Sequence, residues 1–175
     1  MGLVSNIFTY FLLAVSLGLG VFSVIVSARH TGAGFIKLVN NVNISALMLL
    51  LLGGTFSEII LPVSCAIVML VLGPIFSEGK LKKFYPIIYL AQNSTIFYLF
   101  FYFNQFQLTQ SVYYLLTGVA FLGIITYAMI LGHWYLVVPG LSENHLKKAL
   151  VVFWAILALK IGMMTNEVLN HPTLF

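Results

Sequence analysis

One basic residue, Lys160, lies inside an apolar stretch of this 175-residue chain and has the clearest potential for chemistry. A charge inside hydrocarbon is costly, so it needs a counter-ion or a path to water. Two carboxylates are candidates to pair with it: Glu167 follows seven residues later on the same helical face, and Glu58 opens another apolar stretch. This pattern predicts a proton or anion path, a structural ion pair, or a lysine whose long stem reaches the outer interface.

A polar block, Gln-Asn-Ser-Thr at 92–95, interrupts another apolar stretch. Four consecutive residues cover a whole helical turn, so they cannot all face one partner. Helix–helix hydrogen bonding is one interpretation, and a hydrated cavity shared with Lys160 is the other. The candidate site residues from this block are Gln92, Asn93 and Thr95.

Three histidines are expected on one side of the membrane: His30, His133 and His145. Imidazole can ligate haem iron or another metal, and it can relay protons near neutral pH. His30 and His133 fall on different predicted helices at similar depth, as a bis-histidine b-type haem requires. The alternative interpretation places His133, with Trp134 and Tyr135, in the aromatic belt at the headgroup level.

The segment Arg29–Phe35 carries glycines that permit positive φ, so it predicts a turn between helices. Its backbone amides and the Arg29 side chain could hold a phosphate such as a lipid headgroup. The segment lacks the lysine and the spacing of a P-loop, so nucleotide binding is not predicted. The other candidates for anionic headgroups are Lys82, Lys83, Lys147 and Lys148.

These side chains belong to a chain that is 61% hydrophobic and 7% charged. Soluble domains are roughly 25% charged, so this composition predicts an integral membrane protein and excludes disorder. The apolar stretches are continuous rather than alternating, which favours helices over strands. We predict an all-α bundle of six transmembrane helices forming a single domain, 1–175, with spans near 6–28, 35–52, 58–76, 84–103, 111–138 and 145–168.

The basic residues predict the orientation of this bundle. Of the eight Lys and Arg residues, seven fall in alternate links between the spans, and Lys160 is the eighth. Under the positive-inside rule, both termini lie on the outer (periplasmic) side, as in a protein of the bacterial inner membrane. The net charge of +4 then faces anionic lipid, and nucleic acid is not expected as a partner.

The pattern P-x-x-S-E-x-x-L-K-K occurs twice, at 74–83 and at 139–148. In each copy we expect the proline to end the incoming helix and the serine to cap the outgoing one. The repeat predicts either a duplicated hairpin, 58–103 and 111–168, or convergence of two cytoplasmic turns on one sequence.

No catalytic motif is present: the sequence has no aspartate, no G-x-S-x-G, no H-E-x-x-H and no C-x-x-C. Short links and abundant aromatic residues favour a non-catalytic subunit or assembly partner of a larger membrane complex. The alternatives are a small proton or solute transporter or channel that uses Lys160, and a b-haem or quinone-linked redox subunit. Close helix packing is expected at Gly18, Gly20, Gly118, Gly123 and Gly162.

Overall fold

The computed structural model describes residues 3–23, 28–53, 57–77, 84–105, 112–138 and 142–170. Within these ranges the chain is all-helical, as the composition predicts. The helices are α1 (Leu3–Phe22), α2 (Ala28–Gly53), α3 (Ser57–Ser77), α4 (Tyr85–Gln105), α5 (Val112–Val137) and α6 (Asn144–Asn170). At several helix ends, among them 28–33, 57–59 and 167–170, the backbone alone is described.

Three helices in the described part of the chain are long and apolar enough to cross a membrane. Their apolar stretches are Gly34–Gly53 in α2, Tyr113–Val137 in α5 and Asn144–Asn166 in α6. Two further apolar stretches, Ile7–Phe22 in α1 and Ile60–Ile75 in α3, are shorter. The three long stretches indicate a membrane location.

The helices pack as a four-helix body with a two-helix extension. Helix α1 packs against α2, α4 and α5, while α3 lies between α2 and α4; α6 packs against α5. One apolar core, which includes Leu13, Leu47 and Leu99, fills the body. A second core, which includes Phe35 and Tyr127, joins α5 to α1 and α2.

Two glycines let α1 and α5 approach each other closely, as the sequence predicts. A Cβ atom added to Gly18 would collide with the Cα atom of Gly123 and would lie 3.0 Å from the carbonyl oxygen of Val119. The colliding atoms belong to backbone, so neither can turn aside. This crossing fixes α5 on the body, and with α5 the position of α6.

The predicted boundary between the first two helices is wrong. Helix α1 ends at Phe22 and α2 begins at Ala28, so Arg29–Phe35 forms helix rather than the expected phosphate-holding turn. The physical reason is at Gly34, where an added Cβ would lie 2.7 Å from a ring carbon of Trp134. This glycine provides room for an aromatic ring and does not supply a positive φ.

The two copies of the repeated motif also differ. In the first copy, Pro74 was expected to end α3 and Ser77 to cap α4, but α3 continues through Pro74 and Ser77 is its last residue. In the second copy, Ser142 is confirmed as a cap, because its Oγ accepts a hydrogen bond from the Asn144 backbone N–H at 3.4 Å. Pro139 of that copy lies outside the described residues.

Candidate functional site

A side chain of α2 supplies the hydrogen bond that α3 cannot form within itself at Pro74. Proline has no N–H, so the carbonyl oxygen four residues earlier, on Leu70, loses its helical partner. The Asn40 side chain donates to that oxygen from Nδ2 at 2.8 Å, and the bond is buried. A neighbouring helix therefore satisfies the carbonyl group that the proline leaves free, which is how interior prolines are tolerated in a membrane.

Gln92 of α4 joins Asn40 at this level of the bundle. Its side chain is buried, and Gly73 lies between the two amides. A Cβ atom at Gly73 would lie 3.0 Å from Nδ2 of Asn40 and 4.0 Å from Oε1 of Gln92. The absence of a side chain at Gly73 thus gives two amides from different helices a common space.

Asn93 points the other way, toward α1. Its Nδ2 donates to the carbonyl oxygen of Tyr89 at 2.9 Å, and its Oδ1 lies directly against Gly20. The Tyr89 hydroxyl donates to the carbonyl oxygen of Gly20, and the Ser23 hydroxyl donates to the same oxygen at 2.7 Å. This contact ties α4 to the end of α1.

The remaining residues of the polar block are Ser94 and Thr95. Thr95 donates to the carbonyl oxygen of Ala91 in its own helix at 2.9 Å, and Ser94 is exposed. The structure therefore places Gln92 toward α2 and α3 and Asn93 toward α1, in agreement with helix–helix contacts on different sides of α4. We call Asn40, Asn43, Gln92 and Asn93 the amide layer.

Asn43 is the exceptional member of the amide layer. It is fully buried, and neither atom of its amide group has a hydrogen-bond partner in the structure described here. The Ser16 hydroxyl of α1 is in the same condition. A Cβ atom added at Gly53 would lie 3.8 Å from a ring carbon of Phe8, so in an antiparallel helix pair Ser16 lies within about one turn of Asn43 along the helix axis. Both side chains are polar but uncharged, so they can form hydrogen bonds without placing a charge in the interior of the bundle.

Lys160 lies on a different seam, between α6 and α5. Its Nζ lies 5.6 Å from the ring centroid of Phe121 and 3.6 Å from the position that a Cβ at Gly118 would occupy. The Tyr114 hydroxyl donates to the carbonyl oxygen of Met163 at 2.9 Å and fixes the register of this seam. The ammonium therefore rests on the face of an aromatic ring, a favourable cation–π position.

Lys160 and the amide layer lie at different helix contacts, since Lys160 of α6 faces α5, whereas the amide layer belongs to α2 and α4. The hydrated cavity that they were expected to share stays a prediction. The side chains of Glu58 and Glu167 lie outside the described part, so their pairing with Lys160 stays a prediction.

The structure describes the side chains of two of the three candidate histidines. His133 is exposed on α5, His145 is half-buried at the start of α6, and the His30 side chain lies outside the described residues. No group of three metal-ligating side chains occurs among the residues that the structure describes. The haem and quinone interpretation therefore stays a prediction.

The aromatic residues beside His133 hold the end of α5 to its neighbours. The Trp134 ring packs against Phe35 of α2, with centroids 5.9 Å apart. The Tyr135 hydroxyl donates to the carbonyl oxygen of Ser142 and so fixes the turn between α5 and α6.

The basic residues expected at lipid headgroups are described only in part. Lys147 and Lys148 are exposed at the start of α6, and Lys147 pairs with Glu143 at 3.1 Å. Lys82, Lys83 and the side chain of Arg29 lie outside the described residues. A shallow groove of about 570 Å³ adjoins Lys147 and Lys148.

Helix α6 presents a surface of which our sequence interpretation identified only Gly162. Only 6% of its apolar stretch is buried, compared with 28% in α5 and 39% in α2. On the side turned away from α5 the exposed residues include three small ones at helical spacing, and a Cβ at Gly162 would meet no described atom within 4 Å. We call this surface the outer face of α6; it comprises Val151, Trp154, Ala155, Ala158 and Gly162. The spacing of Ala155, Ala158 and Gly162 is the signal that could have revealed it.

Comparisons of this sequence with protein-family models, with curated proteins and with solved structures gave no match.

Proposed function

We propose that all six helices cross the membrane, with both termini on the outer side of a bacterial inner membrane. The basic residues support this orientation, because Lys147 and Lys148 stand at the start of α6 and the other loop lysines occur in alternate links of the sequence. The three long apolar helices support a membrane position for α2, α5 and α6. Helices α1 and α3 have shorter apolar stretches, and we expect them to lie in the membrane because they pack against these helices.

We propose that the protein acts as a non-catalytic subunit or assembly partner of a larger membrane complex, and that it docks through the outer face of α6. The observation that carries this proposal is the exposure of Ala155, Ala158 and Gly162 on one side of a helix whose main contacts, among the described residues, are with α5. Small residues gain little from contact with lipid tails. In membranes they are enriched where two helix backbones approach closely.

Trp154 gives a second reason to propose that a partner docks on the outer face of α6. It lies ten residues into α6, about 15 Å from the helix start, and 63% of it is exposed. Tryptophan favours the membrane interface, where its indole N–H finds a polar partner. At mid-depth, lipid tails offer no acceptor, whereas a partner helix offers a hydroxyl or carbonyl group beside the small residues.

The occupant that fits this face is a transmembrane helix of another subunit, with small residues of its own at the crossing. We rank transport below this role because Lys160 and the amide layer lie in different seams. A redox role through His30 and His133 has no described contact in its favour.

The test is native mass measurement of the protein extracted from its own membranes in mild detergent. Gly162→Leu should remove the partner, because it fills the space that a helix backbone needs. Gly132→Leu is the matched control, since a Cβ at Gly132 also meets no described atom within 4 Å but lies on α5. A wild-type protein that has the mass of this chain alone would contradict the proposal. Equal effects of the two variants on partner binding would also contradict it.

A further inference from the structure

A shallow groove lies at the start of α6, where this helix would enter the membrane. Its volume is about 570 Å³, and it is lined by Asn144, Lys147, Lys148, Val151 and Val152. The polar residues come first along the helix and the valines follow one turn deeper. Because the apolar stretch of α6 begins at Asn144, the groove crosses the boundary between headgroups and hydrocarbon.

The polar end of this groove carries a positive charge. Lys147 pairs with Glu143, but the two side chains are 68% and 80% exposed, so this pair binds weakly and leaves the lysine available. With Lys148 there are two cations for one anion. Basic side chains at a membrane surface attract anionic headgroups, and the positive end of the α6 dipole adds to that attraction.

The turn that leads into the groove is held in place. The Tyr135 hydroxyl donates to the carbonyl oxygen of Ser142, whose Oγ accepts from the backbone N–H of Asn144. On the opposite side of α6, Ala149 is fully buried in the second apolar core. The first two turns of α6 therefore have a fixed orientation, with the two lysines and Val151 facing outward.

We propose that this groove binds one anionic phospholipid, with its phosphate at Lys147 and Lys148 and an acyl chain along Val151 and Val152. A free phosphate would find the same lysines but would gain nothing from the valines, so the lining favours a lipid. The inference rests on the membrane position proposed for α6 and does not require the partner subunit. Because Val151 belongs to both surfaces, this lipid would lie at the edge of the outer face of α6.

The experiment is native mass spectrometry of the full-length protein in detergent, titrated with dioleoylphosphatidylglycerol or with dioleoylphosphatidylcholine. The wild type should bind one phosphatidylglycerol in preference to phosphatidylcholine. Lys148→Gln should weaken this binding about fivefold, while Lys148→Arg should preserve it. Lys37→Gln is the control of equal charge, because Lys37 is exposed on α2 outside the groove, and it should leave the affinity within about twofold.

Equal affinity of the wild type for the two lipids would overturn the proposal, and so would a loss in Lys37→Gln as large as that in Lys148→Gln. Displacement of phosphatidylglycerol by inorganic phosphate at comparable concentration would identify a simple phosphate site instead. The subunit role is tested separately: a protein without a partner that keeps its lipid preference would contradict the docking proposal alone.

Discussion

Asn40 of α2 donates its side-chain amide to the backbone carbonyl oxygen of Leu70 in α3, the oxygen that Pro74 leaves without a helical partner. The two residues are 30 positions apart in sequence. The bond lets α3 continue to Ser77 through an interior proline, and it sets the depth at which α2 and α3 meet. It also places an amide group beside Gln92 in the interior of the body.

Asn40→Leu should lower the free energy of unfolding by about 1–3 kcal/mol, because it leaves the Leu70 carbonyl buried and unpaired. Asn41→Leu is the matched control, since that asparagine is exposed one position further along α2. Unfolding by SDS titration, followed by far-UV circular dichroism, measures both variants.

A second substitution tests the cause of that loss. Pro74→Ala restores a backbone N–H that can bond to Leu70, so Asn40→Leu should cost much less in the Pro74→Ala background. We expect a coupling energy of about 1 kcal/mol or more between the two sites. If the effects of the two substitutions on the free energy of unfolding were strictly additive, Asn40 would not compensate for the N–H that Pro74 lacks.

Gly18→Ala should destabilise the protein by about 2–3 kcal/mol, because its Cβ collides with the backbone of Gly123 and the helices must separate. Gly132→Ala should be neutral or stabilising by up to about 1 kcal/mol, because alanine has the higher helix propensity and the position is open. The same SDS titration compares them. Similar stabilities for the two variants would contradict the close crossing of α1 and α5.

Lys160 and Phe121 should be energetically coupled. Phe121→Leu should cost about 0.5–2 kcal/mol more in the wild type than in a Lys160→Met background, because only the wild type loses a cation–π contact. Phe121 also stacks on Phe153, with centroids 5.9 Å apart, and the double-mutant cycle removes that shared loss. Equal costs in the two backgrounds would assign Lys160 another partner.

The six helices could be predicted because continuous apolar stretches favour helices, whose backbone hydrogen bonds are all internal; three of the six are long and apolar enough to cross a membrane. The errors occurred where a tertiary contact overrides the local pattern. Gly34 suggested a turn, yet its missing side chain makes room for Trp134 of α5. Pro74 suggested a helix end, yet Asn40 supplies the missing hydrogen bond from another helix.

The candidate site was predictable in its residue types but not in its arrangement. The block at 92–95 was expected to divide its contacts, and Gln92 and Asn93 do face different helices. Their separation from Lys160 depends on α5 packing against α1 while α6 packs mainly against α5, and no spacing within a single helix encodes that order. Of the outer face of α6 only Gly162 was identified from the sequence, because alanines within an apolar helix give a weak signal.

The most direct test of the account is the side of the membrane on which the turn between α5 and α6 lies. A Cys65→Ser background allows single cysteines at Glu143, in that turn, and at Thr173, near the C-terminus, to be probed with a membrane-impermeant maleimide on intact cells. We predict that Thr173→Cys reacts from outside, whereas Glu143→Cys reacts only after the inner membrane is permeabilised. Labelling of Glu143→Cys in intact cells, with Thr173→Cys protected, would invert the topology and contradict the positions proposed for the lysines, Lys160 and the outer face of α6.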